Sequence, residues 1–482
     1  MPKPLVFVPG FPASELLQVS QGNKRIFPPA LGDIVNANRK ERLLRLLEGP
    51  DQPPGDIVAG EPIRSILKLG RLEIGKRAEA LYELLRNDYG YTIHSGDNFR
   101  AVGWDWRKAV DAAAVQNDVR QRIIELSDKN GGAGVIVLIH STGGLVLRRV
   151  LEQDPALAGR IEHILALGIP WAGTLAALQQ VAVGSSIGFG PFSLSAGEVR
   201  RVIRRAQAAY DLFPPDPAKT DMRDPFGQPL DLFVDAKKRN GVRRQIGPNV
   251  DVRWMPSGAP FDFMRVLAAD ADARLGARSN VLQLGGGRAT PPITNVVGWG
   301  AEMPTTCTID ANGDLAFEKT KESDGTVPAV SASWLRRGND PFRTVFVPIG
   351  IYPTGQVPRF HSLIWDSPPL GQIFDEVLKD VAPTPYVCGS ADSDEAIDPQ
   401  SDVTLRLVAA DGNGQPLPNA RFKIRDFPGG LKPFGNRVRL EVVVKKGDLR
   451  PNPQRFVRLV VEVVWGAGGS DERREIVILF RR

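Results

Sequence analysis

The run VIVLIHSTGGLVLRRVL, residues 135–151, decides the fold. Five aliphatic residues, Val135, Ile136, Val137, Leu138 and Ile139, meet the polar His140-Ser141-Thr142, then Gly143-Gly144, then an amphipathic helical pattern. Strand, tight turn and helix follow in that order. A serine at such a corner sits at the carboxyl end of a buried parallel strand. Its hydroxyl projects from the sheet, and the small residues behind it let the helix pack close. The Thr142 N–H, at the helix start, is then positioned to help hold an oxyanion. Ser-x-Gly recurs at Ser186, Ser195 and Ser323, but only Ser141 has a strand before it and a helix after it. The competing reading is an ordinary glycine-rich strand-to-helix turn, because Ile139 stands where the Gly-x-Ser-x-Gly pentapeptide has its first glycine.

Outward from this turn, strand and helix alternate. Leu5-Val6-Phe7-Val8 reads as a short buried strand, followed by the turn Pro9-Gly10-Phe11-Pro12. In a hydrolase that loop can supply a second oxyanion donor, here the Phe11 N–H, and otherwise it is a plain βα turn. Residues 76–87 and 119–126 carry helical apolar spacing, residues 98–106 read as a strand and its exit, and residues 164–168 as the next buried strand. The following core strand is expected at residues 280–284, with a further one at 344–349 and a closing helix at 370–381. This alternation predicts an α/β fold with a mostly parallel sheet covered on both faces.

Two stretches interrupt the pattern and read as cap or lid insertions, about 15–75 and 175–279. The second carries Arg200, Arg201, Arg204 and Arg205 opposite an apolar stripe of Val199, Val202, Ile203 and Ala206, and a further basic cluster lies at 237–244. Such a face is either simply solvated or a basic lid that meets an anionic lipid surface. Beyond a Pro-, Ser- and Asp-rich linker at 383–402, alternating apolar residues in 403–482 predict a small β-sandwich-like accessory domain. The α/β domain is thus expected over 1–382.

Composition narrows the function. The 482 residues suggest two or three domains, and 42% hydrophobic content is enough for a large core. Cys307 and Cys388 have neither disulfide nor zinc-like spacing. Asp310-x-Asn312-x-Asp314 resembles a calcium loop, but Leu315 replaces the required glycine and Lys321 the glutamate, so no metal is expected. No organic cofactor is implied either. A net charge of +6 with no recognition motif gives no reason to expect nucleic acid. No signal peptide precedes the first strand and no run approaches ~18 apolar residues, so the expectation is a cytoplasmic protein or one exported without a signal. Oligomeric state leaves no trace in the sequence.

A serine nucleophile needs a base, and four histidines are available. His140 points away from the hydroxyl at such a turn. His163 and His94 lie before or at the start of strands, the wrong end of the sheet. His361, after the last predicted strand of the α/β unit, is positioned to reach Ser141. Asp324, in Ser323-Asp324-Gly325-Thr326-Val327-Pro328, can orient that base, although Asp-Gly is also a common Asx turn. The chain order Ser141, Asp324, His361 is that of the α/β-hydrolases.

These segments, together with Trp104-Asp105-Trp106-Arg107 and Gly168-Ile169-Pro170-Trp171-Ala172-Gly173-Thr174, occur in an order that resembles the lecithin:cholesterol acyltransferase family, which includes lysosomal phospholipase A2. The resemblance covers roughly 1–381 and implies a serine-dependent lipid acyl hydrolase or O-acyltransferase. Ser141, Asp324 and His361 fall at the triad positions, and Phe11 and Thr142 at the oxyanion positions. The early insertion lacks the cysteines of secreted relatives, and the terminal β-domain lies outside the match. A carboxylesterase or triacylglycerol lipase would use the same triad, and a non-catalytic binding protein on the same scaffold is the reading that Ile139 keeps open.

Overall fold

The computed structural model describes residues 2–48, 55–69, 72–76, 78–93, 96–184, 187–189, 192–214, 222–223, 289–309, 315–337, 340–349, 364–365, 367–391, 402–425, 430–445, 456–466 and 472–481, with a few single positions between 267 and 284. The chain divides into two compact units. One comprises Met1–Ile293, Pro304–Thr320 and Val330–Pro341, and the other Thr294–Met303, Lys321–Ala329 and Phe342–Arg482.

In the first unit Leu5–Val8 lies between Phe99–Ala101 and Val135–His140, and Ile161–Leu167 pairs with the far edge of Val135–His140, all in parallel. Val8, Ile139 and Ala166 stand side by side in this register. Every residue of Val135–His140 is buried. A strand apolar on both faces is stable only where helices cover both, which is why the run is continuous rather than alternating. Among the helices that surround these strands in sequence, Ala113–Lys129 buries Val115, Val119, Ile123 and Leu126, one stripe at helical spacing. Ala78–Tyr89 and Gly143–Gln153 do the same with Leu81 and Leu85, and with Leu147, Val150 and Leu151.

The early insertion is more ordered than its Pro, Gly and charge content suggests. Ser14–Gln18 pairs antiparallel with both Lys24–Phe27 and Ile57–Pro62, and Ala37–Glu48 is a helix burying Leu43, Leu44, Leu46 and Leu47. In the later insertion Leu175–Ala182, Ala196–Ile203 and Gln207–Asp211 are helices. Ser195 and Glu198 form a reciprocal capping box at the start of the second of these.

The second unit contains a parallel pair, Ile293–Trp299 with Arg343–Pro348, and the helix Pro368–Leu378. This corrects one expectation. Residues 280–284 carry only an isolated bridge, Val281 with Arg336, and the core strand is Ile293–Trp299. Thr294, Asn295 and Gly298 interrupt its apolar run in the sequence, yet all seven residues are buried. The rest of the unit is antiparallel. Val403–Ala410 lies between Tyr386–Ala391 and Arg439–Val444, while Arg421–Ile424, Phe456–Trp465 and Glu472–Arg481 form a second sheet. Leu405 and Leu407 from one sheet meet Phe422, Leu459, Val461 and Val463 from the other in a shared core. That is a sandwich. Tyr386–Ala391, within the stretch expected as linker, is one of its strands.

The molecule therefore has an α/β architecture, a mostly parallel sheet with helices, and antiparallel sheets in the C-terminal region. Among the described residues no helix is long and apolar enough to cross a membrane. Both cysteines are buried free thiols, and burial pushes Cys307 up to about 12 and raises Cys388 as well.

Candidate active site

Ser141 follows the last residue of Val135–His140, and its backbone has φ +53°. Among the described residues the other non-glycine positions with positive φ are Asn23, Asp380 and Asn419, types whose short polar side chains tolerate that region. A serine held there costs about 1–3 kcal/mol and persists only where its surroundings over-determine it. Here they do. The Ser141 N–H donates to Leu167 O at 3.0 Å, continuing the sheet, and Ser141 O accepts from Gly144 N at 3.0 Å, starting the helix. The chain turns a sharp corner between two hydrogen-bonded elements.

Glycines on three sides make room for that corner. A Cβ at Gly10 would lie 2.5 Å from Ser141 Cβ and 3.0 Å from its Oγ. One at Gly143 would meet Val8 O at 2.5 Å and Pro9 O at 2.7 Å, and one at Gly144 would meet Ile169 Cγ2 at 2.3 Å. Ile139, buried in the strand beside Val8 and Ala166, does not prevent the turn from forming. The tight approach is to the Pro9-Gly10 loop.

That loop thus lies against the candidate nucleophile. It is closed by Ala13 N–H donating to Gly10 O at 3.1 Å. Trp104 Nε1 donates to Pro9 O at 2.9 Å, Trp104 N–H to Ser14 Oγ at 3.0 Å, and Trp106 Nε1 to Ser14 O at 3.2 Å. The Phe11 ring stands edge-on to Trp106, with centroids 5.6 Å apart. Two buried indoles therefore pin both ends of the loop whose Phe11 N–H is the expected oxyanion donor. Thr142, wholly buried, is the cap residue of Gly143–Gln153, so its N–H stands at the positive end of the helix dipole.

The Trp104-Asp105-Trp106-Arg107 segment also gathers the two insertions. Asp105 takes Arg107 in a two-point pair, Nε at 2.9 Å and Nη2 at 2.7 Å. Arg107 Nη1 donates to Leu46 O of the early insertion, and Arg107 O accepts from Gln207 N–H of the later one at 2.8 Å. The insertions are further tied to each other. Arg201 pairs with Glu41 at 2.8 and 3.0 Å and with Glu48 at 3.3 Å, and Lys40 pairs with Glu198 at 2.7 Å. Hydrogen bonds from Arg201 first, then from Arg45, hold the Glu41 carboxyl down at about 2. Arg200 and Arg204 donate to Ala182 O and Val181 O. Arg200, Arg201 and Arg204, read as part of a solvated or lipid-facing stripe, are therefore engaged within the protein, and the basic cluster at 237–244 lies outside the described residues.

Asp324 belongs to the second unit. It is 1% exposed, and its Oδ1 accepts from Thr326 N–H at 3.0 Å and Val327 N–H at 2.8 Å. A Cβ at Gly298 would lie 2.6 Å from Asp324 Cβ, so the aspartate packs on the end of Ile293–Trp299. The Asx-turn reading and a role as acid are compatible, because the turn uses one carboxylate oxygen. His361, the expected base, lies outside the described residues, as does His94. His163 pairs with Ile136, at the opposite end of the strand from Ser141, and His140 is buried in the strand. Among the described residues no group of three or more His, Cys, Asp or Glu is arranged to hold a metal. Gly10 and the two tryptophans are the positions that the sequence did not single out by role; the signal was there in a Pro-Gly turn and a Trp-x-Trp pair, but not their contact.

The family model of lecithin:cholesterol acyltransferase matches residues 50–242. Over this segment the chain is similar to the lecithin:cholesterol acyltransferase family. The segment holds Trp104-Asp105-Trp106-Arg107, Ser141 and Thr142, begins after Phe11 and ends before Asp324. Lecithin-cholesterol acyltransferase-like 1 of Arabidopsis thaliana is 34% identical over 79 residues, 16% of this chain and 18% of that protein. The lysosomal phospholipase A and acyltransferase of Rattus norvegicus is 25% identical over 107 residues, 22% of this chain and 26% of that one. The matched part thus spans about a quarter or less of either relative. Among solved structures, the Tle4-Tli4 complex aligns with a TM-score of 0.44 at 13% identity, over 76% of this chain and 95% of that one. Phospholipase PlaB from Legionella pneumophila aligns with a TM-score of 0.26 at 12% identity, over 100% and 90%.

Proposed function

We propose that this chain is a serine-dependent lipid acyl hydrolase or O-acyltransferase. The observation that carries the reading is Ser141 at φ +53° with the Pro9-Gly10 loop packed against its Cβ and Oγ, inside a lecithin:cholesterol acyltransferase segment. Strain of this kind turns a hydroxyl out of the sheet at the carboxyl end of a strand, where a substrate carbonyl can approach.

In this reading Ser141 Oγ attacks the acyl carbonyl carbon while His361 takes its proton, and Asp324 orients the imidazole and stabilises its charged form. The carbonyl oxygen becomes an oxyanion, held by the N–H groups of Phe11 and Thr142. The intermediate collapses, the ester C–O bond breaks, and the departing alcohol leaves with the proton from His361. Water or a second alcohol then attacks the acyl-serine by the same steps in reverse. The choice between them depends on how well water is excluded, and the joined insertions support a cap that limits its entry. A lipid is the substrate class suggested by the family segment.

The test is labelling by an alkyl fluorophosphonate with peptide mapping, comparing the intact chain with Ser141→Ala. Modification at Ser141 that vanishes in the variant is expected, together with acyl release from phospholipid vesicles. A folded chain that stays unlabelled would sink the reading in favour of a binding protein on a hydrolase scaffold.

A further inference from the structure

Val403–Ala410 has period-2 alternation, with Leu405, Leu407 and Ala409 in the sandwich core. The opposite face should then meet solvent. Instead Arg406 is 1% exposed, and Val408 and Ala410 are wholly buried. Arg406 lies over the end of the parallel pair: a Cβ at Gly300, φ +113°, would meet Arg406 Cδ at 2.7 Å and Ile349 O at 2.7 Å. Its Nε donates to Glu441 Oε1 at 2.9 Å from the neighbouring strand.

The same face carries a second arginine. Arg439 stands opposite Val408 in the register. Its guanidinium lies 5.1 Å from the Trp299 ring centre and 4.8 Å from that of Phe346, the two parallel strands in turn, and it forms an ion pair with Glu322. Glu322 is two residues before Asp324. Backbone bonds stitch that loop to the strand end: Gly300 N–H to Lys321 O at 2.7 Å, Ala301 N–H to Ser323 O at 3.0 Å, and Ser323 Oγ to Ala301 O at 2.6 Å. The loop at Lys321–Ala329, the strand end at Thr294–Met303 and the sandwich form one compact unit.

We propose that the C-terminal β-domain holds the loop carrying Asp324, with Arg439 as the positioning residue that fixes it. This rests on the reading of Asp324 as the triad acid. The planar guanidinium is suited to the task because it stacks on two rings while pairing with a carboxylate, which an ammonium cannot do equally well.

The experiment uses the full chain and follows fluorophosphonate labelling of Ser141, with kcat and KM on a short-chain aryl ester, for the wild type, R439A, R439K, D324N and the D324N/R439A double variant. R439A is expected to slow labelling and kcat roughly 10- to 100-fold, the scale of a small misplacement of a catalytic group, with KM unchanged. R439K should recover part of the loss. Because Arg439 acts through Asp324, the double variant should label no more slowly than D324N alone. An R439A chain that labels at the wild-type rate, or a double variant in which the two losses multiply, would overturn the proposal. If circular dichroism shows R439A unfolded, E322Q tests the same tie from the other side and should slow labelling severalfold, an unchanged rate refuting it. A wild-type chain that does not label would instead overturn the serine reading itself, a different result from a labelled wild type with an indifferent R439A.

Discussion

The two ends of the proposed triad are held in opposite ways. Ser141 is fixed by crowding: a left-handed backbone, three glycines and a sheet register that places Gly10 against its side chain. Asp324 is fixed by hydrogen bonds and by an ion pair to a neighbouring residue from a strand more than a hundred positions away. Crowding tolerates almost no added atom, whereas a hydrogen-bonded loop tolerates isosteric change and fails when its supports go. Ser141 is therefore held by steric fit, and Asp324 by hydrogen bonds and charge borrowed from its neighbours.

Substitutions can break this contrast. Asp324→Asn retains an oxygen for the Thr326 and Val327 N–H groups, so the melting temperature should stay near wild type while ester turnover falls by about 10³- to 10⁴-fold. Asp324→Ala should lose as much activity and also about 1–3 kcal/mol of stability, read by urea unfolding, because one buried and one half-buried amide lose their acceptor. Equal stability of the two variants would mean that the hydrogen bonds do not hold the loop. Gly10→Ala forces a carbon to within 2.5 Å of Ser141 Cβ. Labelling of Ser141 should slow about 100-fold in a chain that still melts cooperatively; a rate near wild type would show that the loop yields.

Smaller effects sharpen it. Trp104→Phe keeps the ring but leaves Pro9 O without its indole donor, and should cost about 1–3 kcal/mol, with a severalfold slower labelling rate. The smallest effect concerns the insertions. Glu41 has its carboxyl held at about 2, below the ordinary 4.5, by Arg201 and then Arg45. The sign follows: this tie is fully present above about 4.5 and is lost as pH falls towards 2. Hydrogen exchange in Ala37–Glu48 and Ala196–Ile203 should therefore be equal at pH 6 and pH 5 and rise together below pH 4, after correction for intrinsic rates. Exchange that rises in one helix alone would separate the insertions.

How much was legible in the sequence follows the same contrast. Val135–Leu138, the polar turn and the two glycines lie consecutively, so strand, corner and helix could be read from one window. That Gly10 meets Ser141 depends on the pairing of Val8 with Ile139, a long-range register that no window contains. Ile293–Trp299 was hidden because buried Thr294, Asn295 and Gly298 disguise a core strand, and residues 280–284 imitate one. The arginines at 200–205 were visible as a stripe, but the partners of Arg201, Glu41 and Glu48, are about 150 positions earlier, on a helix inside a stretch that reads as irregular. Local patterns reveal elements; pairings between distant charges need the fold.

The two-faced burial of Val403–Ala410 has a consequence in time. A chain is made from its amino end, and units fold as they emerge. The corner that strains Ser141 is complete once Ile161–Leu167 has paired, while Arg406 and Arg439 do not yet exist. The strands that seat them are made long after Ser141, so in the proposed reading the strained corner that holds the serine and the support of the loop that holds the acid are completed at separate times.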